Sequence, residues 1–272
     1  MAPGCSDTIR PVADPSKAVF FISDAHLGSG PDLEQRRSTL VARLADFRPR
    51  ADHVYILGDL FDFWFEYRHA IPKGHFQVLH ALAGLVDAGV PVDFFGGNHD
   101  FWCGSYLRQE VGLTVHQEPA VVTHQGRRIF LAHGDGIAGG DHGYRMLKAL
   151  LRNPWAIALY RGLHPDIGIP LAYRTSGISR AHSLPFNVLL DRYARNLVAP
   201  RFARGDDAVV IGHIHSPIHL RDTRGRDFLI LGDWIDHYTC IRLEQGIFHL
   251  ERHAPGQEPA RLDPVAWPAA SG

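Results

Sequence analysis

Five short segments of this 272-residue chain carry side chains that can bind metal ions or move protons. They are Asp24-Ala25-His26, Gly58-Asp59-Leu60-Phe61-Asp62, Gly97-Asn98-His99-Asp100, His133-Gly134-Asp135 and Gly212-His213-Ile214-His215. Any one of them alone is more often a polar turn with satisfied hydrogen bonds than a ligand set. Together they supply carboxylates, imidazoles and an amide, the groups that borderline divalent metal ions accept. Their joint occurrence therefore predicts a metal centre.

The spacing within the segments suggests how their side chains could converge. In an extended strand exit, residues i and i+2 point the same way, so Asp24 with His26, and His213 with His215, would each aim two ligands into one site. A carboxylate has two oxygens and can bridge two cations. Because Asp59 stands at a tight exit from an apolar run, it is the natural shared ligand. We therefore predict a binuclear centre.

Each segment follows an apolar run with the length and composition of a buried strand. The runs lie at 18–23, 53–57, 91–95, 127–132 and 208–212. Between the first three runs, residues 33–47 and 75–89 repeat apolar side chains every three or four positions, which indicates amphipathic helices. This alternation predicts βαβ units, whose ligand sites lie beyond the carboxyl ends of the strands.

The remaining pattern is consistent with one structural domain at 18–252. Further strands joined by tight turns are expected at 227–234, 238–243 and 246–251. They would close the domain with a mixed sheet. The ends, 1–17 and 253–272, lack hydrophobic periodicity, and we expect them to be poorly ordered.

Residues 141–198 are expected to form a helical cap insertion within that domain. The stretch 144–182 is apolar and basic, because it contains several arginines and a lysine but a single acidic residue. Pro154, Pro165 and Pro170 should break it into short helices. Two interpretations stay open, because its apolar side chains could line a groove for an apolar ligand or could bury the helices on the core.

The composition limits the classes of protein that remain. With 45% hydrophobic and 21% charged residues it is typical of a globular protein, and a net charge of −1 gives no positive field to attract nucleic acid. The three cysteines form no CxxC pair, which argues against a disulfide framework and a thiolate zinc site. The sequence shows no signal peptide and no apolar run long enough to span a membrane, so we expect a cytoplasmic protein.

The motifs D-x-H, GD-x-x-D, GNHD, HGD and GHIH, in this order over about residues 18–235, resemble the calcineurin-like metallophosphoesterase superfamily. The resemblance implies an α/β fold, a four-layer αββα sandwich with a helical cap insertion, whose loops present the ligands. It implies two divalent metal ions. One would be held by Asp24, His26 and His215, the other by Asn98, His133 and His213, with Asp59 bridging them.

The same resemblance suggests roles for the neighbouring residues. His99 would donate a proton to the leaving group or stabilise the equatorial oxygens of the phosphoryl group. For Asp62, Asp100 and Asp135, two interpretations are equally open. They either fix the orientation of the imidazoles or satisfy N–H groups of their turns.

Within the superfamily, the sequence resembles the UDP-2,3-diacylglucosamine pyrophosphatase family of lipid A biosynthesis. The motifs are GDLFDFWFEYR, GNHDFW, HGD followed by Asp141-His142-Gly143-Tyr144, NPW at 153–155 and LGDW at 231–234. The resemblance implies a glycolipid nucleotide substrate, attack at the α-phosphorus, and release of UMP and 2,3-diacylglucosamine 1-phosphate with Mn²⁺ as the metal. It also implies a peripheral position on the cytoplasmic face of the inner membrane.

Substrate contacts are expected on the loops and on the cap. Asn98, His99, Asp141 and Tyr144 follow from the resemblance, and Arg174 and Arg180 are inferred from their charge alone. The best-known form of the family has arginine where His99 stands, and a related branch carries GNHDFW.

Two alternatives are weighed against this hydrolase. The first is a nuclease or nucleotide phosphodiesterase on the same metal centre, because GDLFD and GNHD also occur in the exonuclease branch. A nuclease should carry a basic stripe, whereas the basic residues here are concentrated in an apolar cap, so nucleic acid is not the expected partner. The second is a non-catalytic scaffold that binds proteins. Such scaffolds usually lose several ligands, and all seven are present here. The oligomeric state is left open.

Overall fold

The computed structural model describes residues 17–28, 30–137, 142–179 and 185–267. The strands in these ranges are β1 (Ala18–Ile22), β2 (Ala51–Leu57), β3 (Val92–Phe95), β4 (Thr114–His116), β5 (Ala120–His124), β6 (Arg127–Ala132), β7 (Ala208–Ile211), β8 (Ile218–Arg221), β9 (Asp227–Ile230), β10 (Thr239–Glu244), β11 (Ile247–Arg252), β12 (Ala260–Leu262) and β13 (Val265–Ala266). The helices are α1 (Leu33–Phe47), α2 (Phe76–Asp87), α3 (Tyr106–Gln109), α4 (His142–Leu151), α5 (Pro154–Arg161), α6 (Pro165–Ser179), α7 (Phe186–Tyr193) and α8 (Ala199–Ala203). A π-helical turn, Ala194–Val198, joins α7 to α8.

The strands form two mixed sheets. The seven-stranded sheet has the order β12-β11-β10-β1-β2-β3-β4, and the six-stranded sheet has the order β13-β8-β9-β7-β6-β5. Strands β1 to β4 are parallel neighbours, as are β6, β7 and β9. In each sheet the carboxyl ends of several parallel strands therefore lie at the same end of the sheet, which is the usual place for a ligand site.

Strand β1 shows why the sheets are covered on both faces. All five of its residues are buried, and successive side chains point to opposite faces of a strand. Phe20 stacks on Phe47 of α1 with ring centroids 4.0 Å apart. Phe21 points the other way and stacks on Tyr55 of β2 at 5.3 Å. One face of the strand thus packs against a helix, and the other face contributes to the core between the two sheets.

Three buried clusters define the layers. The first lies between the seven-stranded sheet and α1 and α2, and the second lies between the two sheets. The third packs Tyr193, Val198 and Phe202 of the α7–α8 segment onto the outer face of the six-stranded sheet. The predicted four-layer αββα sandwich is confirmed.

Three helices, α4, α5 and α6, lie between β6 and β7 in the chain, and α5 and α6 pack on a separate aromatic cluster. Phe63, Phe65 and Tyr67 form its base, and Tyr160 and Tyr173 contact it from α5 and α6. We call these three helices the cap. Nowhere in the described ranges does a helix have both the length and the apolar composition needed to cross a membrane.

The prolines of the cap act differently from the sequence prediction. Pro154 and Pro165 begin α5 and α6, where the missing N–H has no helical partner to lose. Pro170, however, lies inside α6 rather than ending a helix. A helix interrupted by proline can continue when its other hydrogen bonds and its packing compensate for the one lost bond. The prediction that Pro170 would break the chain into separate pieces is therefore wrong.

The prediction of a poorly ordered tail from residue 253 is also wrong for residues 253–267. Strand β12 pairs with the edge of β11, and β13 pairs with the edge of β8. Trp267 donates a backbone hydrogen bond to the Arg221 carbonyl at 2.9 Å and packs its ring 5.6 Å from that of Phe228. Order in this segment comes from pairing with sheet edges, which leaves no periodic signal in so short a sequence.

Candidate metal centre

The loops after five parallel strands converge at the carboxyl ends of both sheets. Those after β1, β2 and β3 carry the first three segments of metal-binding residues, and those after β6 and β7 carry the other two. The seven predicted ligands form two groups that meet at one carboxylate. The first group is Asp24, His26 and His215, and the second is Asn98, His133 and His213, with Asp59 between them.

In the first group, three ligand atoms face one another. The Nε2 atoms of His26 and His215 are 3.1 Å apart, and Asp24 Oδ1 lies 3.8 and 3.5 Å from them. This oxygen is buried and accepts no hydrogen bond within the described part of the chain. The other oxygen, Oδ2, accepts hydrogen bonds from the Ser23 hydroxyl and from the backbone N–H of His213. A buried anionic oxygen without a donor, next to two imidazole nitrogens, fits a bound cation.

The second group has the same character. His133 Nε2 lies 3.1 Å from the Asn98 amide oxygen and 3.4 Å from Asp59 Oδ2. The rings of His133 and His213 meet edge to face with centroids 5.1 Å apart. One ligand atom each of Asp59, His133 and His213 lies within 4.8 Å of the others.

Asp59 faces both groups with one oxygen. Its Oδ2 lies 3.7 Å from His26 Nε2 and 3.4 Å from His133 Nε2, while Oδ1 accepts a hydrogen bond from the backbone N–H of His99 at 2.9 Å. A Cβ on Gly97 would clash directly with Asp59, so the close approach of these two loops requires glycine there. The carboxylate is therefore positioned to serve two sites at once.

The backbone reaches this arrangement by an unexpected route. Five of the seven predicted ligands have positive φ: Asp24 (53°), His26 (43°), Asp59 (51°), His213 (69°) and His215 (61°). The prediction that an extended strand exit aims i and i+2 together is therefore wrong, because these loops use left-handed turns. Non-glycine residues in this region cost of the order of 1 kcal/mol or more each, and such strain concentrates at functional sites.

Groups behind the imidazoles fix their orientation. His133 Nδ1 lies 2.8 Å from the Leu57 carbonyl, and His215 Nδ1 lies 3.3 Å from Asp233. His26 Nδ1 lies 3.5 Å from Asp62 but makes no hydrogen bond within the described residues. Acceptors at Nδ1 favour the tautomer with its lone pair on Nε2, the atom that faces the centre. Asp233 was not singled out from the sequence, although Gly232-Asp233 follows β9 as Gly58-Asp59 follows β2.

The three aspartates next to the ligands have different surroundings. Asp62 lies 3.5 Å from His26 Nδ1, and its orienting role stays a prediction. Asp100 instead accepts backbone hydrogen bonds from Asp59, Gly97 and Phe61, so it satisfies turn N–H groups. Burial and repulsion from Asp59 raise the pKa of Asp100 to about 7.

Asp135 forms an ion pair with Lys148 of the cap. Next to it, the Tyr193 hydroxyl donates a hydrogen bond to the Gly134 carbonyl at 2.7 Å. The loop after β6 is therefore tied to the cap on one side and to α7 on the other.

Electrostatic coupling within the centre is strong. Burial tends to raise the pKa of Asp59, but the attraction of His133, His99 and His26 outweighs it and lowers that pKa well below its usual value. Asp59 in turn raises the pKa of His133 against the effect of burial. Burial and the charge of His133 lower the pKa of His213 to about 4. Protons and cations therefore compete for the same imidazoles.

A backbone carbonyl holds one ring nitrogen of His99. Its Nδ1 lies 3.0 Å from the Asp62 carbonyl, which can only accept, so Nδ1 carries the hydrogen. The ring meets that of His26 edge to face at 4.9 Å and is 8% exposed. The remaining nitrogen, Nε2, can hold or release a proton.

Two cavities border the centre. The first, the apolar cavity, has a volume of about 490 Å³, and its walls include Phe63, Trp102, Leu151, Ile157, Asn98 and His99. The second, the edge cavity, has a volume of about 370 Å³ beside His133 and the end of β4. Asp135, Lys148 and Arg152 line both.

The predicted substrate contacts on the cap are only partly placed. Asp141 and Arg180 lie outside the described residues, and Tyr144 lies on α4. Arg174 is exposed and is not part of either cavity wall, because Leu171 and Ala172 occupy the side of α6 that faces the apolar cavity. The cationic groups that do line the cavities are Lys148 and Arg152, which in the sequence are only two members of a basic stretch.

Comparison with known proteins agrees with this site. Residues 17–217 match the sequence model of the calcineurin-like phosphoesterase family. The chain is 36% identical over 238 residues to the UDP-2,3-diacylglucosamine hydrolase of Porphyromonas gingivalis, a match that covers 80% of this chain and 90% of that protein. It is 33% identical to the enzyme of the same name from Nitrosococcus oceani, covering 85% and 93% of the two chains. It is 31% identical to the UDP-2,3-diacylglucosamine hydrolase of Aeromonas hydrophila, a match that covers 87% of this chain and 99% of that protein.

The fold, the paired ligand groups and these matches agree with one another. The chain therefore belongs to the calcineurin-like phosphoesterases with a divalent metal centre and, within them, to the family of the UDP-2,3-diacylglucosamine hydrolases.

Proposed function

We propose that this protein hydrolyses the pyrophosphate bond of UDP-2,3-diacylglucosamine to UMP and 2,3-diacylglucosamine 1-phosphate. The observation that carries the proposal is the apolar cavity that opens directly beside Asn98 and His99. A general phosphodiesterase has no use for an apolar wall of this size, whereas a substrate with two acyl chains does. The names of the relatives support the same substrate.

The seven clustered side chains would hold two divalent cations, which we propose are Mn²⁺. Asp24, His26 and His215 would bind one, Asn98, His133 and His213 the other, and Asp59 both. Bound there, the pair would supply an activated water and would stabilise negative charge on the phosphoryl oxygens. The fit rests on the unpartnered Asp24 Oδ1 and on imidazoles turned with Nε2 inward.

The protein's own residues would position the substrate and move the proton. With Nδ1 held by the Asp62 carbonyl, His99 would donate its Nε2 proton to the departing sugar phosphate. Lys148 and Arg152 line both cavities, where they would pair with the pyrophosphate oxygens. The guanidinium of Arg152 already lies 3.4 Å from the ring centroid of Phe101, which fixes its position. Asp141 and Tyr144 remain proposed contacts to the head group, and Arg180 remains a proposed substrate contact inferred from its charge.

The surface of the cap suggests how the enzyme would reach a lipid substrate. Large apolar side chains project into solvent from all three cap helices: Met146 (76% exposed), Leu150 (62%), Trp155 (84%), Leu159 (80%) and Ile167 (61%). Such an apolar face, with Arg161 and Arg174 exposed on the same helices, is suited to lie on an anionic bilayer. We place the protein as a peripheral enzyme on the cytoplasmic face of the inner membrane.

The assignment is tested by incubating manganese-loaded protein with UDP-2,3-diacylglucosamine and measuring UMP. Single-stranded DNA and a simple phosphodiester serve as competing substrates. Release of UMP with no comparable cleavage of the other two is the expected result. Efficient cleavage of DNA or of the simple diester, with no UMP released, would assign the centre to a nuclease or a phosphodiesterase instead.

A further inference from the structure

If the proposed function holds, the position of the edge cavity indicates which half of the substrate would bind there. A pyrophosphate cleaved between its two phosphorus atoms must leave a nucleoside on one side of the metal centre and a glycolipid on the other. The apolar cavity borders Asn98 and His99, and the edge cavity borders His133. The two cavities share Lys148 and Arg152, cations suited to the phosphates between the two halves. If the acyl chains occupy the apolar cavity, the edge cavity is the space left for the nucleoside.

The walls of the edge cavity have the chemistry that a nucleoside uses. Phe95 and His116 form an aromatic wall with their rings stacked at 4.5 Å. The His116 ring is fixed from behind, because its Nε2 is hydrogen-bonded to the carboxylate of Asp93, which also binds His53. Glu118 is exposed, and a carboxylate is the usual acceptor for ribose hydroxyls. An acyl chain could use none of these polar groups.

Gln117 supplies the group that could recognise the base. Its side-chain oxygen is buried and accepts no hydrogen bond from any residue described in the structure. Turning the amide toward the cavity therefore breaks no hydrogen bond to that oxygen. A primary amide presents one acceptor beside one donor, which matches the N3–H donor and O4 acceptor on the edge of uracil.

We propose that the edge cavity binds the uridine half of the substrate, with Gln117 paired to the uracil edge and Glu118 accepting hydrogen bonds from the ribose. The carboxyl ends of β3, β4 and β6 surround this space, the place where ligands bind in open α/β sheets. Gln117 is then a specificity-determining residue, and it acts on the binding of the nucleotide rather than on the chemical step.

The test is a calorimetric titration of UMP and of ribose 5-phosphate into manganese-loaded wild type and Gln117→Leu. We expect the wild type to prefer UMP and the variant to lose that preference, with UMP binding about 10-fold weaker, as for a lost hydrogen-bonding pair. Inorganic phosphate should bind both proteins equally, which shows that the variant keeps its centre. Gln117→Glu, which keeps the shape but cannot donate, is the second variant and should also lose the preference.

The matched control is Ala156→Leu, which narrows the apolar cavity alone. It should leave UMP binding unchanged and weaken the binding of 2,3-diacylglucosamine 1-phosphate. Unchanged UMP binding in both Gln117 variants, or weaker UMP binding in Ala156→Leu, would overturn the assignment of the cavity. Failure of the wild type to release UMP from the glycolipid would instead overturn the proposed function, which the UMP titration does not measure.

Discussion

The Nε2 atoms of His26 and His215 lie 3.1 Å apart, although 189 positions separate the two residues in the chain. Carboxylates lie behind both rings, with Asp62 3.5 Å from His26 Nδ1 and Asp233 3.3 Å from His215 Nδ1. Asp233 favours hydrogen on Nδ1 of His215 and so directs the lone pair of its Nε2 toward His26, whose own Nδ1 makes no hydrogen bond within the described residues. With Asp24 Oδ1 beside them, only a proton or a cation can stabilise this arrangement. This relationship is the core of the proposed metal centre.

Removing the imidazole of His99 tests its role as proton donor. His99→Ala should lower kcat by about 10²–10⁴-fold with a small change in KM, the usual scale for a proton-transfer residue. Steady-state kinetics of UMP release measure this. His99→Arg separates the two possible roles, because arginine supplies positive charge but does not release a proton. Recovery of near wild-type kcat in His99→Arg would show that His99 acts through charge instead.

Replacing Asp233, which is not one of the seven proposed ligands, should weaken metal binding. Its Oδ1 accepts backbone hydrogen bonds from Ile235, Asp236 and His237, while Oδ2 faces His215. Asp233→Asn keeps an acceptor for the turn but presents an amide to the imidazole. We expect about 10–100-fold weaker Mn²⁺ binding, the scale found for groups that orient metal-bound histidines.

Titration calorimetry with Mn²⁺ measures this effect, with Asp46→Asn on the exposed surface of α1 as the matched control. Equal affinity in Asp233→Asn and wild type would mean that Asp233 stabilises its turn and nothing more.

Ionisation of Asp93, which lies away from the metal centre, should make the stability of the fold depend on pH. Burial raises its pKa, but hydrogen bonds with His116 and His53 outweigh burial and lower it to about 2 from 3.8. A lowered folded-state pKa stabilises the fold above the unfolded pKa, and the benefit is lost as the pH falls from about 4 to about 2. Asp93→Asn should therefore reduce the free energy of unfolding by about 1–2 kcal/mol at pH 6 and by little at pH 2.

Urea denaturation at the two pH values, followed by circular dichroism, makes the comparison. A difference between wild type and Asp93→Asn that is the same at pH 2 and pH 6 would contradict the ionic origin of the effect.

Membrane binding should depend on the tip of α5. Trp155 is 84% exposed, so Trp155→Glu removes apolar surface and adds a repulsive charge without touching the core. We expect at least about 10-fold weaker binding to anionic phospholipid vesicles in co-sedimentation. Phe76→Glu is the matched control, because Phe76 is 76% exposed on α2 and lies outside the cap. Equal losses in the two variants would argue against a specific cap surface.

The parts of the fold with strong local patterns were predictable. Helix α1 coincides with the predicted stretch 33–47, and β6 coincides with 127–132. Strands β4 and β12 were not predicted, because three-residue strands on or near a sheet edge are stabilised by pairing rather than by their own periodicity.

The candidate site was predictable in its membership but not in its conformation. Residue types and order were enough to bring Asp24, Asp59 and His215 to one place. The left-handed backbone at these positions was not predictable, since residues other than glycine rarely adopt positive φ and their sequence does not indicate where they do. Arg152 was not singled out among the basic residues of the cap for a related reason, because composition alone does not say which face of a helix a charge occupies.

The most direct measurement is anomalous diffraction at the manganese absorption edge from crystals of the manganese-loaded protein. The account predicts two peaks about 3.5–4 Å apart, one on each side of Asp59, with His26 and His215 at one peak and His133 and His213 at the other. In crystals of Asp59→Ala at least one peak should be lost, together with the release of UMP in solution. A single peak or none in the wild type, or full turnover by Asp59→Ala, would contradict the binuclear centre.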